Sequence, residues 1–230
     1  EVGKTVVAAV LARTLANSGE RVAVFKPAVT GIDEFADDGL SGEDSTSAPL
    51  PDHDLLRLAA GSEQSDEEIA PYRYGPPASP HLAAAQADEE IDPKLLRSGA
   101  QSAAASADVL VCEGVGGLLV PLVGRLIPAM REESAPYLVR DLAVELGLPV
   151  IIAASPGLGT INHTLLTLES ARAAGLSVAA VVLTPWPEEP SAIERSNRET
   201  IESLGEVSVL TLTQLDLAAP ETWPALSIKP

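Results

Sequence analysis

The chain opens Glu1-Val2-Gly3-Lys4-Thr5 and runs straight into Val6, Val7, Ala8, Ala9, Val10 and Leu11. Gly-Lys-Thr at the entry to an apolar helix is the second half of a phosphate-binding loop, G-x-x-x-x-G-K-[ST]. In that role Lys4 and the neighbouring backbone amides would hold the β- and γ-phosphates of a nucleoside triphosphate, and the Thr5 hydroxyl would ligate Mg²⁺. A solvated lysine at a helix start reads the same way, so the tripeptide alone is a weak signal. Glu113 adds weight: it ends the apolar run Val109–Cys112 and precedes Gly114-Val115-Gly116-Gly117. A carboxylate closing a buried strand is costly unless it binds something, and Mg²⁺ takes one or two carboxylates alongside phosphate oxygens. Asp54, opening a short helix, is a candidate third ligand. An N-cap is nearly as good a reading of it, and Asp52 competes for either role.

Lys26 ends the run Arg21–Lys26 and is followed by Pro27. There it could neutralise charge on a transferring phosphoryl group, or serve as an ordinary solubilising charge; spacing does not choose between them. Thr30 is polar enough to touch a substrate and is also a common turn residue. Gly157-Leu158-Gly159-Thr160-Ile161-Asn162 enters a helix, so its free amides could bind a carboxylate, with simple helix entry as the alternative. His53, His81 and His163 show no metal-ligand spacing. Cys112 reads as core packing, and the two tryptophans carry no motif.

These residues need a frame. Helices are expected over Thr5–Asn17, around Leu55–Ala59, and over Pro93–Ala105, Ala135–Leu146, Asn162–Ala174 and Ser191–Leu204. Strands are expected at Arg21–Lys26, Val109–Cys112, Val150–Ala154, Val178–Leu183 and Val207–Leu212. Asp33–Asp52 is acidic and rich in Gly, Ser and Pro, which predicts a loop; the proline-rich Pro71–Pro80 is not expected to be regular. Alternating strands and helices imply a doubly wound, mostly parallel α/β sheet. In such a sheet ligands sit beyond the carboxyl ends of the strands, which brings Lys26 and Glu113 towards the phosphate loop. The expectation is one P-loop α/β domain over residues 1–230, with the first strand and half the loop lying before residue 1.

Composition closes off other classes. With 15 Lys+Arg against 33 Asp+Glu the formal charge is −18, which argues against nucleic acid or an anionic membrane as partner. A single cysteine excludes a disulfide scaffold. Only Lys4, Lys26, Lys94 and Lys229 are lysines. That lysine-poor acidic balance predicts a cytoplasmic protein of a high-salt interior that gains stability as salt rises.

Five segments taken together resemble the dethiobiotin synthetase family of biotin synthesis. They are Glu1–Val6; Lys26-Pro27-Ala28-Val29-Thr30-Gly31; Pro71-Tyr72 through Pro77-Ala78-Ser79-Pro80-His81; Glu113–Gly117; and Gly157–His163. The resemblance implies a homodimer that uses 7,8-diaminopelargonate, CO₂ or bicarbonate, and ATP or another nucleoside triphosphate with Mg²⁺. One amine would become a carbamate, the γ-phosphate would pass to it, and the other amine would close the ureido ring. Lys26 and Lys4 then become catalytic, and Thr5, Asp54 and Glu113 hold the metal. The nucleotide falls to Glu1, Val2, Gly3, Lys4, Thr5 and Val6, to Glu113, Gly114, Val115 and Gly116, and to Thr184, Pro185, Thr213 and Gln214. Thr30 would contact the diamine, and Gly159, Thr160, Ile161 and Asn162 would receive its carboxylate from the neighbouring subunit. The chain departs from the family where Leu122–Tyr137 is long and where Thr184 stands in place of an Asn against adenine. A P-loop switch ATPase of the partition or septum-placement type is the alternative, but the basic face or membrane-binding tail of such proteins is missing. A bare nucleotide-binding module would leave Lys26, Thr30 and the Ser-Pro-His segment without a role.

Overall fold

Apolar runs and amphipathic helices alternate as expected in the computed structural model, which describes residues 2–33, 50–124 and 135–228. Helix α1 (Lys4–Asn17) leads into β1 (Val22–Phe25) and β2 (Val29–Thr30), followed by α2 (Asp52–Ala60), α3 (Asp66–Ile69), β3 (Arg73–Tyr74), α4 (Pro80–Gln86) and α5 (Pro93–Ala105). Next come β4 (Val109–Cys112), β5 (Pro121–Val123), β6 (Tyr137–Leu138), α6 (Val139–Leu146) and β7 (Val150–Ala154). The chain closes with α7 (Thr160–Ala173), β8 (Val178–Trp186), α8 (Ala192–Gly205) and β9 (Val209–Thr213).

β1 and β4 pair in parallel, Val22 with Val109 through Phe25 with Cys112. β7, β8 and β9 form a second parallel ladder in that order. Helix α1 packs against β1, β4 and β7 and so spans both ladders. Its buried Val7, Ala9, Val10 and Ala12 join Val24, Leu56, Val111, Val182 and Leu212 in one core cluster. On the other side Phe25, Leu96, Ala100, Leu122 and Leu142 form a second cluster, and Leu168, Val181, Leu183 and Ile201 a third. Strands carrying apolar side chains to both faces need helices on both faces, which is the doubly wound arrangement expected.

The free edge of β1 is served by a side chain. Gln64 accepts from the Val24 amide at 2.8 Å and donates to the Val24 carbonyl at 3.1 Å. The Lys26 amide then donates to the Ile69 carbonyl at 2.8 Å. These bonds satisfy buried backbone groups that would otherwise be unpaired, and they fix where the strand releases Lys26.

Three expectations need correcting. The acidic loop does not reach Asp52, because α2 starts there with Pro51 as its N-cap. Residues 34–49 of that loop lie outside the described residues, as do residues 125–134 of the long Leu122–Tyr137 stretch. The helix expected from Ala135 begins at Val139, because Tyr137–Leu138 pairs antiparallel with Pro121–Val123. Within Pro71–Pro80, Arg73–Tyr74 forms a short strand beside β2, since no proline falls on the paired residues.

Candidate active site

The in-register pairing of β1 and β4 dictates the centre of the site. Because Phe25 sits opposite Cys112, the next residues, Lys26 and Glu113, leave their strands side by side; the Glu113 amide donates to the Phe25 carbonyl at 2.8 Å. Their side chains meet, Lys26 Nζ lying 2.7 Å from Glu113 Oε1. Lys26 is 3% exposed and Glu113 4%, so the surface-charge reading of Lys26 does not hold. Thr5, in the first turn of α1, has its single hydroxyl proton within reach of two acceptors, Glu113 Oε1 at 2.8 Å and Asp52 Oδ1 at 3.1 Å. Asp52 also accepts from Lys26 Nζ. Four side chains, from α1, α2 and the residues that directly follow β1 and β4, thus form one hydrogen-bonded cluster.

Asp54 is not in it. Its carboxylate pairs with Arg57, which also holds Asp66. Two residues along a helix turn the side chain by about 200°, so Asp52 and Asp54 face opposite ways. Asp52, not Asp54, is the α2 carboxylate that stands beside Thr5 and Lys26. His53, Asp54 and Asp66 do approach within 4.8 Å of one another, but Arg57 already neutralises both carboxylates.

Burial works against charge on Lys26, yet Glu113 and Asp52 outweigh it and raise its pKa. It is an ammonium held by two carboxylates. Burial also lifts the Glu113 carboxyl, against the opposing pull of Lys26. Glu113 Oε2 is buried without a hydrogen-bond partner among the described residues. An orphaned carboxylate oxygen beside a second carboxylate and a threonine hydroxyl is a set of hard oxygen donors that fits Mg²⁺.

The phosphate loop supplies the other half. Gly3 caps α1 in the left-handed region at φ 76° with no side-chain cap, and the first turn holds no acidic residue. Among the described residues no side chain caps its amides, which leaves them open to an anion. A Cβ at Gly3 would lie 2.7 Å from the Thr184 methyl, so close packing as well as φ demands glycine. Thr184 is buried behind the loop, beside Pro185 in β8. Lys4 and Val6 are half-buried and Val2 is exposed; Glu1 lies outside the described residues. Gly114, Val115 and Gly116 continue from Glu113, and Thr213 and Gln214 sit exposed at the end of β9. Thr30 is half-buried in β2, opposite Tyr74.

Gly159 to Asn162 form a separate region. Gly159, at φ 92°, caps α7 without a side-chain bond. A groove of about 520 Å³ runs beside it, lined by Leu158, Gly159, Ile161, Asn162 and Asn197 among others. Leu158 is 97% exposed. Two residues escape a reading of the sequence alone. Arg57 braces the turn that carries Asp52, and its i, i+3 spacing from Asp54 is the available signal. Asn197 binds the carbonyls of Pro156 and Gly157, and no local pattern marks it.

No described helix is long and apolar enough to cross a membrane. The AAA domain family matches residues 1–216. The ATP-dependent dethiobiotin synthetase BioD of Mycobacterium avium is 40% identical over 223 residues, covering 96% of this chain and 86% of that protein. The enzymes of the same name from Rhodococcus erythropolis and Bacillus subtilis are 36% and 32% identical, covering 92% and 93% of this chain and 83% and 82% of theirs. A fainter structural likeness, TM-score 0.49 at 18% identity over 92% of this chain and 78% of the other, links it to the Pyrococcus furiosus cell division ATPase MinD and bears on neither site nor function. On sequence similarity spanning nearly its whole length, the chain belongs to the ATP-dependent dethiobiotin synthetase family.

Proposed function

We propose that the protein carboxylates 7,8-diaminopelargonate and closes the ureido ring of dethiobiotin, consuming one nucleoside triphosphate. The observation that carries this reading is the cluster of Thr5, Lys26, Asp52 and Glu113 beside the uncapped amides of α1. Lys4 and those amides hold the β- and γ-phosphates. Thr5, Asp52 and Glu113 would hold Mg²⁺, and a bound ion would supply positive charge to the phosphate oxygens.

An uncharged amine of the diamine adds to CO₂ and loses a proton, giving a carbamate. A carbamate oxygen then attacks the γ-phosphorus and the nucleoside diphosphate leaves. Lys26, held beside Thr5 by Asp52 and Glu113, would bring its positive charge to the transferring phosphoryl group. The second amine attacks the carbonyl carbon of the carbamic–phosphoric anhydride, phosphate departs, a proton is lost and the ring closes. Thr30, on the strand pair next to Lys26, orients the diamine. The segment Gly159, Thr160, Ile161 and Asn162 receives its carboxylate from a neighbouring subunit through the amides other than that of Thr160, which donates to the Gly157 carbonyl; the exposed Leu158 and Leu166 beside them support a homodimer there.

Phosphate release measured with diamine and bicarbonate, together and singly, tests the reading. Release should require both. Release without the diamine would favour a switch ATPase instead.

A further inference from the structure

Between β7 and α7 the chain runs Ser155-Pro156-Gly157-Leu158-Gly159, a short and largely exposed loop. Helix α8 holds it from behind. Asn197, 7% exposed, donates from Nδ2 to the Pro156 carbonyl at 2.9 Å and to the Gly157 carbonyl at 3.1 Å. Both acceptors are carbonyls, so the amide nitrogen must be the end that faces them. Two consecutive carbonyls drawn to one side chain fix two peptide planes. In a trans peptide the N–H points away from the C=O, so the amides of Gly157 and Leu158 turn away from Asn197. The same restraint sets the angle at which the loop reaches Gly159 and the first turn of α7, where the Thr160 amide donates to the Gly157 carbonyl at 3.3 Å and, among the described residues, no side chain caps the turn. Asn197 also lines the groove that this turn borders.

We propose that Asn197 is a positioning residue for recognition of the substrate's carboxylate, holding the Pro156–Gly159 loop so that the amides at the start of α7 converge on that anion. This rests on the carboxylate reading of Gly159–Asn162 given above. Among the described residues no hydrogen bond joins this arrangement to the cluster of Thr5, Lys26, Asp52 and Glu113, which lies on α1, α2 and the ends of β1 and β4.

The test compares the diamine acid with its methyl ester in wild-type enzyme, Asn197→Leu and Asn197→Ser, with KM for ATP and kcat measured alongside. Asn197→Leu should raise KM for the acid roughly 10- to 100-fold, the scale on which a misplacement of about 1 Å is felt. KM for ATP, and KM for the ester, should stay near wild type, so that the preference for acid over ester collapses. Asn197→Ser, which keeps one donor, should fall between. An unchanged acid-to-ester ratio in Asn197→Leu overturns the assignment, as does a KM for ATP that rises in step. If Asn197→Leu does not fold, the acid-to-ester ratio of Asn197→Ser decides in its place, and an unchanged ratio there overturns the assignment equally. A wild-type enzyme that fails to distinguish acid from ester would instead remove the carboxylate subsite itself, and Asn197's role with it.

Discussion

At the phosphate end of the site, Thr5, Lys26, Asp52 and Glu113 meet side chain to side chain, and the Lys26–Glu113 pair is almost wholly buried. At the other end, Gly157–Asn162 offers backbone amides around an exposed leucine, steadied by the neutral amide of Asn197. The first region must place charge to within a hydrogen-bond length, and strand register does this: one residue past the Phe25–Cys112 pair, two opposite charges are neighbours. The second must hold only a peptide chain in one conformation, which a single buried carboxamide can do. Charged clusters are thus sensitive to single side chains, whereas an amide cradle is sensitive to what orients its backbone.

The contrast can be strained from the charged side first. Glu113→Gln keeps the shape and removes the charge. Turnover should drop by at least about 100-fold, above the usual loss when a group merely supporting a metal ligand is removed. Lys26 would keep only Asp52 as a carboxylate partner. Stability in urea should therefore fall by up to about 3 kcal/mol, near the lower end for a broken buried pair. Turnover close to wild type would show that the cluster is structural.

A finer cut separates Asp52 from Asp54. Asp52→Asn should raise the Mg²⁺ concentration needed for half-maximal activity on the order of 10- to 100-fold. Asp54→Asn should leave that requirement alone and lower stability by about 0.5–1 kcal/mol, the scale of a partly exposed ion pair. A metal titration of both variants checks this, and the opposite pattern would return the ligand role to Asp54.

How much of this is legible in the sequence follows the same division. Gly3-Lys4-Thr5, Lys26 and Glu113 are readable because residue type and strand-end position both point to charge chemistry, and parallel pairing brings strand ends together. Asp52 ranks behind Asp54 in the sequence because an acidic loop hides the helix start; starting α2 two residues earlier exchanges the faces of the two side chains. The strand–helix order survives, as strongly periodic segments do, while Tyr137–Leu138 and Arg73–Tyr74 escape because two-residue strands carry no period. Asn197 is invisible: it acts 40 residues from its partner Gly157, through a contact no local pattern announces.

The smallest effect lies far from both regions. Arg21 bonds the Asp108 carboxylate and holds its pKa down to about 2, below the ordinary ~3.9. A depressed carboxylate stabilises the fold above its unfolded pKa and loses that contribution as pH falls through the folded value. The gap in melting temperature between wild type and Asp108→Asn should therefore be present at pH 5 and close between about pH 4 and pH 2. A gap that is constant down to pH 2 would mean the pair contributes nothing through its charge.

The role of Lys26 is the most direct point of attack. In the proposed mechanism Lys4 and the amides of α1 serve nucleotide binding, whereas Lys26 serves the transfer. Calorimetric binding of Mg-nucleotide, set beside dethiobiotin formation, should separate the two in Lys4→Ala and Lys26→Ala. Lys4→Ala should lose both. Lys26→Ala should bind nucleotide almost normally and form product on the order of 10²–10³ times more slowly, the loss typical of a preorganised charge at a reacting centre. A Lys26→Ala enzyme that kept most of its turnover would contradict the assignment and leave Lys26 as no more than the buried counter-ion of Glu113.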